Sequence, residues 1–230
     1  MGLVFSPAPQ VAVPVAGSDA LFPVHRIYCV GQNYAAHAKE MGASGREAPF
    51  FFMKPADAVL AVADGKVGQM PYPSMTQNLH HEIELVVAIG IGGKNISVAD
   101  ASMHIWGYAI GLDMTRRDLQ AESKKAGRPW STAKGFDHSA PIGPIHRTER
   151  SVAPSGAISM TVNNAPRQRG RLDNMIWSVA ETISYLSTLF ELQAGDLIFT
   201  GTPEGVGTVV RGDLMVGSID GLGTLQVLIV

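Results

Sequence analysis

Only one cysteine occurs in the 230 residues, Cys29 in the apolar run Arg26-Ile-Tyr-Cys-Val-Gly31. No internal disulfide can form, and the thiol reads as a small buried hydrophobe. No apolar run approaches the roughly 20 residues of a membrane-spanning helix. The N-terminus has no basic stretch ahead of an apolar one and is broken early by prolines, which argues against a secretion signal. Met1-Gly-Leu-Val-Phe-Ser6 matches the N-myristoylation pattern, but the match is short and common and nothing else suggests a membrane. The 18 Lys and Arg are scattered among 20 Asp and Glu, for a formal net charge of −2. Without a basic stripe, nucleic acid is set aside as a partner. Repeats and low-complexity tracts are also missing. Hydrophobic residues at 46% and charged residues at 17% describe a globular chain, expected to be soluble and cytoplasmic.

What the chain does have is an unusual strand. Leu79 to Gly92, LHHEIELVVAIGIG, is a β-branched and apolar run bounded by glycine, with Glu82 and Glu84 inside it. Side chains two apart on a strand share a face. A third acid, Asp113, ends the apolar run that begins at Trp106. Carboxylates buried together need protons, basic partners or a cation, and three of them suit a hard divalent ion. The plainer alternative puts Glu82 and Glu84 on the solvent face of an edge strand, and the pattern alone leaves both open.

Around that strand, residues 1–24 are rich in Pro, Ala and Val and read as an arm, with 25–230 as a single domain. Arg26–Gly31 reads as a strand, Gln32–Gly42 as a helix with Asn33 at its N-cap, and Phe50–Lys54 as a strand stopped by Pro55. Met114–Ala126 is helical in propensity, residues 131–145 read as loop, and Asp173 caps a helix whose stripe is Ile176, Val179, Ile183, Leu186 and Phe190. The end is β, with a glycine-rich loop at 201–207. That loop lacks the Lys-Ser/Thr ending of a phosphate-binding loop, so backbone N–H groups approaching a carboxylate suit it better.

His37 and Glu40, three apart, share a helix face and could form a general base with its orienter, or an exposed pair with no task. His80-His81-Glu82 lacks the zinc spacing, and neighbours on a strand point opposite ways, so at most one histidine could join the site. The charges from Arg116 to Lys125 are by default a solvated helix face.

In order, Gly31-Gln-Asn-Tyr-Ala-Ala-His-Ala-Lys-Glu40, Phe52-Met-Lys-Pro55, His81-Glu-Ile-Glu84, Leu112-Asp113-Met-Thr, Arg117-Asp, Gly127-Arg-Pro-Trp130 with Lys134, and Thr200-Gly-Thr-Pro-Glu-Gly-Val-Gly207 resemble the fumarylacetoacetate hydrolase family from about Arg26 to the C-terminus. Within it the chain is most similar to the members that cleave fumarylpyruvate in gentisate breakdown. The resemblance implies an α+β, β-rich fold, a mixed β-sandwich or roll, and a homodimer. It implies Mg²⁺ or Mn²⁺ on Glu82, Glu84 and Asp113, with His37 and Glu40 as a water-activating dyad. It sets Lys134 as catalytic and Lys54, Arg117, Gln120 and Thr202 around an acylpyruvate. Lys54, Arg117 and Arg128 are its candidates for reading a distal carboxylate. Maleylpyruvate or acetylpyruvate hydrolysis, oxaloacetate decarboxylation, and a catalytically silent protein with a structural cation remain as alternatives.

Overall fold

The computed structural model describes residues 2–35, 46–148 and 153–230. At its centre the Ile83–Ile89 strand, buried along its whole length, pairs antiparallel with Ile105–Leu112 on one side and Leu197–Phe199 on the other. The eight-stranded mixed sheet continues outward through Ile27–Gly31 to Phe50–Lys54, and through Ala140–Ile142 to Val59–Ala61.

Both faces of this sheet are covered, and the two-residue period decides which side chain goes where. Ile83, Leu85, Val87 and Ile89 enter one core, while Val86 and Ala88 enter the other. The first core is closed by a five-stranded sheet, whose strands Ala157–Val162, Leu214–Ile219 and Gly223–Ile229 contribute Ile158, Met160, Met215, Ile219, Leu225 and Val227. Ile183 and Leu186 of a helix over Val179–Leu189 join the same core. Each such side chain, fully buried, is worth about 1.5–3 kcal/mol. The second core is covered by a hairpin of Ala12–Pro14 and Leu21–Pro23, which seats Val13 and Phe22. The result is the β-rich sandwich that the family resemblance implies.

Several local expectations are corrected. The acidic run is not one strand. Leu79–His81 pairs with Thr115–Arg116 and Gly207–Val209 in a separate three-stranded sheet, and the chain breaks at Glu82 before entering the main one. The stretch 131–145 contains a helical turn and a strand, because Pro141 sits where Ala140–Ile142 needs little from its N–H. In chain order, the α-helices within the described residues are α1 (Arg117–Ala126), α2 (Ser131–Lys134) and α3 (Val179–Leu189). Ser178, not Asp173, caps α3 in a reciprocal box with Glu181. Such a cap is worth about 0.5–2 kcal/mol. The helix expected from Gln32 to Gly42, carrying His37 and Glu40, lies for the most part outside the described residues. The Asn33 side chain, expected to cap it, instead donates to the carbonyls of Trp177 (2.9 Å) and Thr200 (2.8 Å) and accepts from the Trp177 N–H (2.7 Å). No helix among the described residues is long and apolar enough to cross a membrane.

Candidate metal centre

Strand register builds the acidic cluster. Glu84 lies opposite Gly111, and the Asp113 N–H donates to the Glu82 carbonyl at 2.8 Å, so Asp113 faces Glu82 across the pair. The carboxylate oxygens of Glu82, Glu84 and Asp113 lie within 4.8 Å of one another, and all three residues are buried. The solvent-face alternative is thereby excluded.

Among the described residues, three cations meet these three acids. Lys134 Nζ donates to Glu82 Oε2 (2.8 Å) and Asp113 Oδ2 (2.7 Å). Arg117 pairs with Glu82 Oε1, and Lys54 Nζ stands 2.8 Å from Asp113 Oδ1. Burial by itself would lower the Lys134 pKa, but Asp113 and Glu82 outweigh it, so the ammonium is held above its ordinary value and stays charged. Glu84 has no ion pair among the described residues; its Oε2 accepts the Gly201 N–H at 2.7 Å. Burial, then Asp113 and Glu82, push its pKa well above the usual carboxylate range. A clustered carboxylate in that state takes a proton or a cation. Three carboxylates with hard oxygen donors fit Mg²⁺ or Mn²⁺.

The loop that serves Glu84 depends on one glycine. Gly201 has φ +96°, and a Cβ there would come within 2.7 Å of the Asn33 Cβ. Only glycine lets the backbone approach Asn33 while aiming its N–H at the carboxylate.

The other expected site residues divide. Arg117 also donates to Gln120 Oε1 and to His80 Nδ1 (3.3 Å), and Gln120 is 3% exposed, so both stand beside the cluster. Lys54 is different. Two of its N–H groups go to the carbonyls of Met114 (3.2 Å) and Lys134, and its third partner is Asp113. Of the three donors of an ammonium, two of Lys54's are held by backbone, and its charge is set against Asp113. The Thr202 hydroxyl donates its proton to the Ile83 carbonyl (2.7 Å), leaving only lone pairs and its backbone for a carboxylate. Neither histidine turns a ring nitrogen to the acids through any hydrogen bond given by the described residues. His80 accepts from Arg117 and donates to Asn78, and burial with Arg117 lowers its pKa to about 4. His37 and Glu40 lie outside the described residues.

Sequence reasoning missed Gln168. Its Oε1 accepts from the Ile83 N–H (3.1 Å) and His81 Nδ1 (2.8 Å), bracketing Glu82. Its Nε2 donates to Thr202 Oγ1 and the Pro203 carbonyl, both at 2.8 Å. One fully satisfied buried amide thus joins the break in the acidic strand to the glycine-rich loop. Its strand, APRQRGR over Ala165–Arg171, carries proline and three arginines and gives no periodic signal.

A model of the fumarylacetoacetate (FAA) hydrolase C-terminal domain matches residues 26–230. The crystal structure of fumarylpyruvate hydrolase from Pseudomonas aeruginosa in complex with Mn2+ and pyruvate superposes with a TM-score of 0.97 at 57% identity, covering 100% of this chain and 99% of that one. A fumarylpyruvate hydrolase from Ralstonia sp is 46% identical over 155 residues, which is 67% of this chain and 81% of that protein. An oxaloacetate tautomerase of Escherichia coli is 40% identical over 202 residues, 87% of this chain and 90% of that protein.

Proposed function

This chain belongs to the fumarylacetoacetate hydrolase family of enzymes, and from that premise we propose that it hydrolyses the C–C bond of an acylpyruvate, fumarylpyruvate being the favoured substrate. The observation that carries the reading is the buried carboxylate cluster with Lys134 across it. A structural cation would need no lysine between its ligands. The 57% identity to the Pseudomonas aeruginosa enzyme, which binds Mn2+ and pyruvate, supports the same site and the same 2-oxo acid end.

Glu82, Glu84 and Asp113 would hold the divalent ion. When bound, it supplies chelation of the 2-oxo carboxylate end and Lewis-acid polarisation. Charge counting favours an anionic substrate: three acids and three cations balance among the described residues, so a dication leaves an excess of plus two for a substrate bearing two carboxylates. His37, oriented by Glu40, takes a proton from water, and the resulting hydroxide adds to the acyl carbonyl. Collapse of the adduct breaks the bond between the acyl carbon and the methylene and releases the carboxylic acid. The electron pair leaves as the pyruvate enolate, beside the Lys134 ammonium, which is held charged by its acidic neighbours. Protonation of the enolate carbon completes pyruvate.

The reading extends to a homodimer and a cytoplasmic setting in aromatic catabolism, with one catalytic domain over 25–230 and residues 1–24 packed on it. Similarity to the Escherichia coli oxaloacetate tautomerase favours a second reading, enol–keto interconversion of oxaloacetate at the same cluster. Product analysis tests the first. Manganese-loaded protein given fumarylpyruvate should release fumarate and pyruvate in equal amounts, and consumption of substrate without either acid would refute cleavage.

A further inference from the structure

Chain cleavage at the pyruvyl end leaves open how the far end of the acyl group is read, and this question rests on the acylpyruvate reading above. Of the cations expected to do it, Lys54 sets its charge against Asp113 with two donors on backbone carbonyls, and Arg117 pairs with Glu82 and donates to Gln120 and His80. We infer that Lys124 binds the distal carboxylate and sets the preference for acyl chains that end in one.

Arg117, Gln120 and Lys124 are spaced three and four apart on α1 and share one face. Arg117 and Gln120 place that face against the acidic cluster, and Lys124 lies two turns further along, about 10 Å by helical rise. An aromatic wall spans the interval. Lys134 Nζ is 5.1 Å from the Phe52 ring centroid, Phe52 and Trp130 are 5.7 Å apart, and Lys124 Nζ is 5.3 Å from the Trp130 centroid. An acyl chain leaving the cluster along this wall passes from one ammonium to the other. Lys124 has no ion pair among the described residues, while burial and then Arg117 lower its pKa, as expected of a cation short of an anion. Arg128 lies beyond Gly127, which ends α1 in the left-handed conformation at φ +62°, and so is off the helix face that Arg117, Gln120 and Lys124 share.

Two non-cleavable probes differ only at the far end: 2-oxoheptanedioate carries a terminal carboxylate, and 2-oxoheptanoate a methyl group. Calorimetric Kd values on the manganese-loaded protein should favour the dioate by about ten- to a hundred-fold, the worth of a charge-assisted hydrogen bond. Lys124→Met should erase that difference without changing the Kd for pyruvate. Lys124→Arg should retain most of it, and Arg128→Gln all of it. A purely structural lysine at the end of α1 would change stability and leave the ratio alone. Equal binding of the two probes by the unmodified protein, or a ratio that survives Lys124→Met, would overturn the assignment. Because the readout is binding, failure of the hydrolase reading shows separately, as discrimination between the probes without cleavage of fumarylpyruvate.

Discussion

Stripping divalent ions should abolish turnover, and Mg²⁺ or Mn²⁺ should restore it. Glu82, Glu84 and Asp113 place three buried carboxylates within 4.8 Å, and Glu84 lacks any ion-pair partner among the described residues. On the proposed reading, the ion chelates the 2-oxo acid end. Glu84→Gln isolates the effect, because the amide oxygen still accepts the Gly201 N–H while the charge is lost. Metal affinity should fall by at least about 10–100-fold, the loss typical even of a residue that only supports a ligand. The fold should persist. An ion that binds only the folded state adds about 2.7 kcal/mol at a concentration one hundred times its Kd. The unmodified protein should therefore show a metal-dependent rise in Tm, and Glu84→Gln should show it only at higher metal. Full activity in excess chelator would contradict this.

His37→Ala and Glu40→Gln should each lower kcat by about 10²–10⁴-fold with little change in metal affinity, since a positioned general base contributes on that order. Their losses should not add if, as proposed, Glu40 acts by orienting His37. The double variant should then be scarcely slower than His37→Ala alone. If His37→Ala instead raises the metal Kd and leaves kcat intact at saturating metal, the histidine is a ligand and the division of labour is wrong.

How much of this was legible follows from what each residue's neighbours say. Glu82, Glu84 and Asp113 stood out because charge interrupts an otherwise apolar pattern, and their shared burial turns that interruption into a site. The chain break at Glu82 was invisible, since hydropathy does not report that Leu79–His81 pairs into another sheet. Lys54 lies against Asp113, with backbone carbonyls as its further partners. Sequence marks a lysine at the end of a strand, but not that the carbonyls of Met114 and Lys134 take two of its three donors. Gln168 had no signal at all, for its partners lie 34, 85 and 87 residues away in the chain. The cap of α3 was misplaced by a 3₁₀ turn at Leu172–Asn174 that extends the apparent helical stripe backward.

Cleavage and tautomerisation must be told apart, because relatives named for each chemistry match this chain at comparable identity. The direct measurement is kcat/KM for fumarylpyruvate, acetylpyruvate and oxaloacetate on one manganese-loaded preparation at one pH. Fumarylpyruvate cleavage should exceed acetylpyruvate cleavage by about ten- to a hundred-fold, the value of one charge-assisted hydrogen bond to the distal carboxylate, and should also exceed any oxaloacetate reaction. Oxaloacetate tautomerisation as the fastest reaction, with fumarylpyruvate cleaved no better than acetylpyruvate, would contradict it.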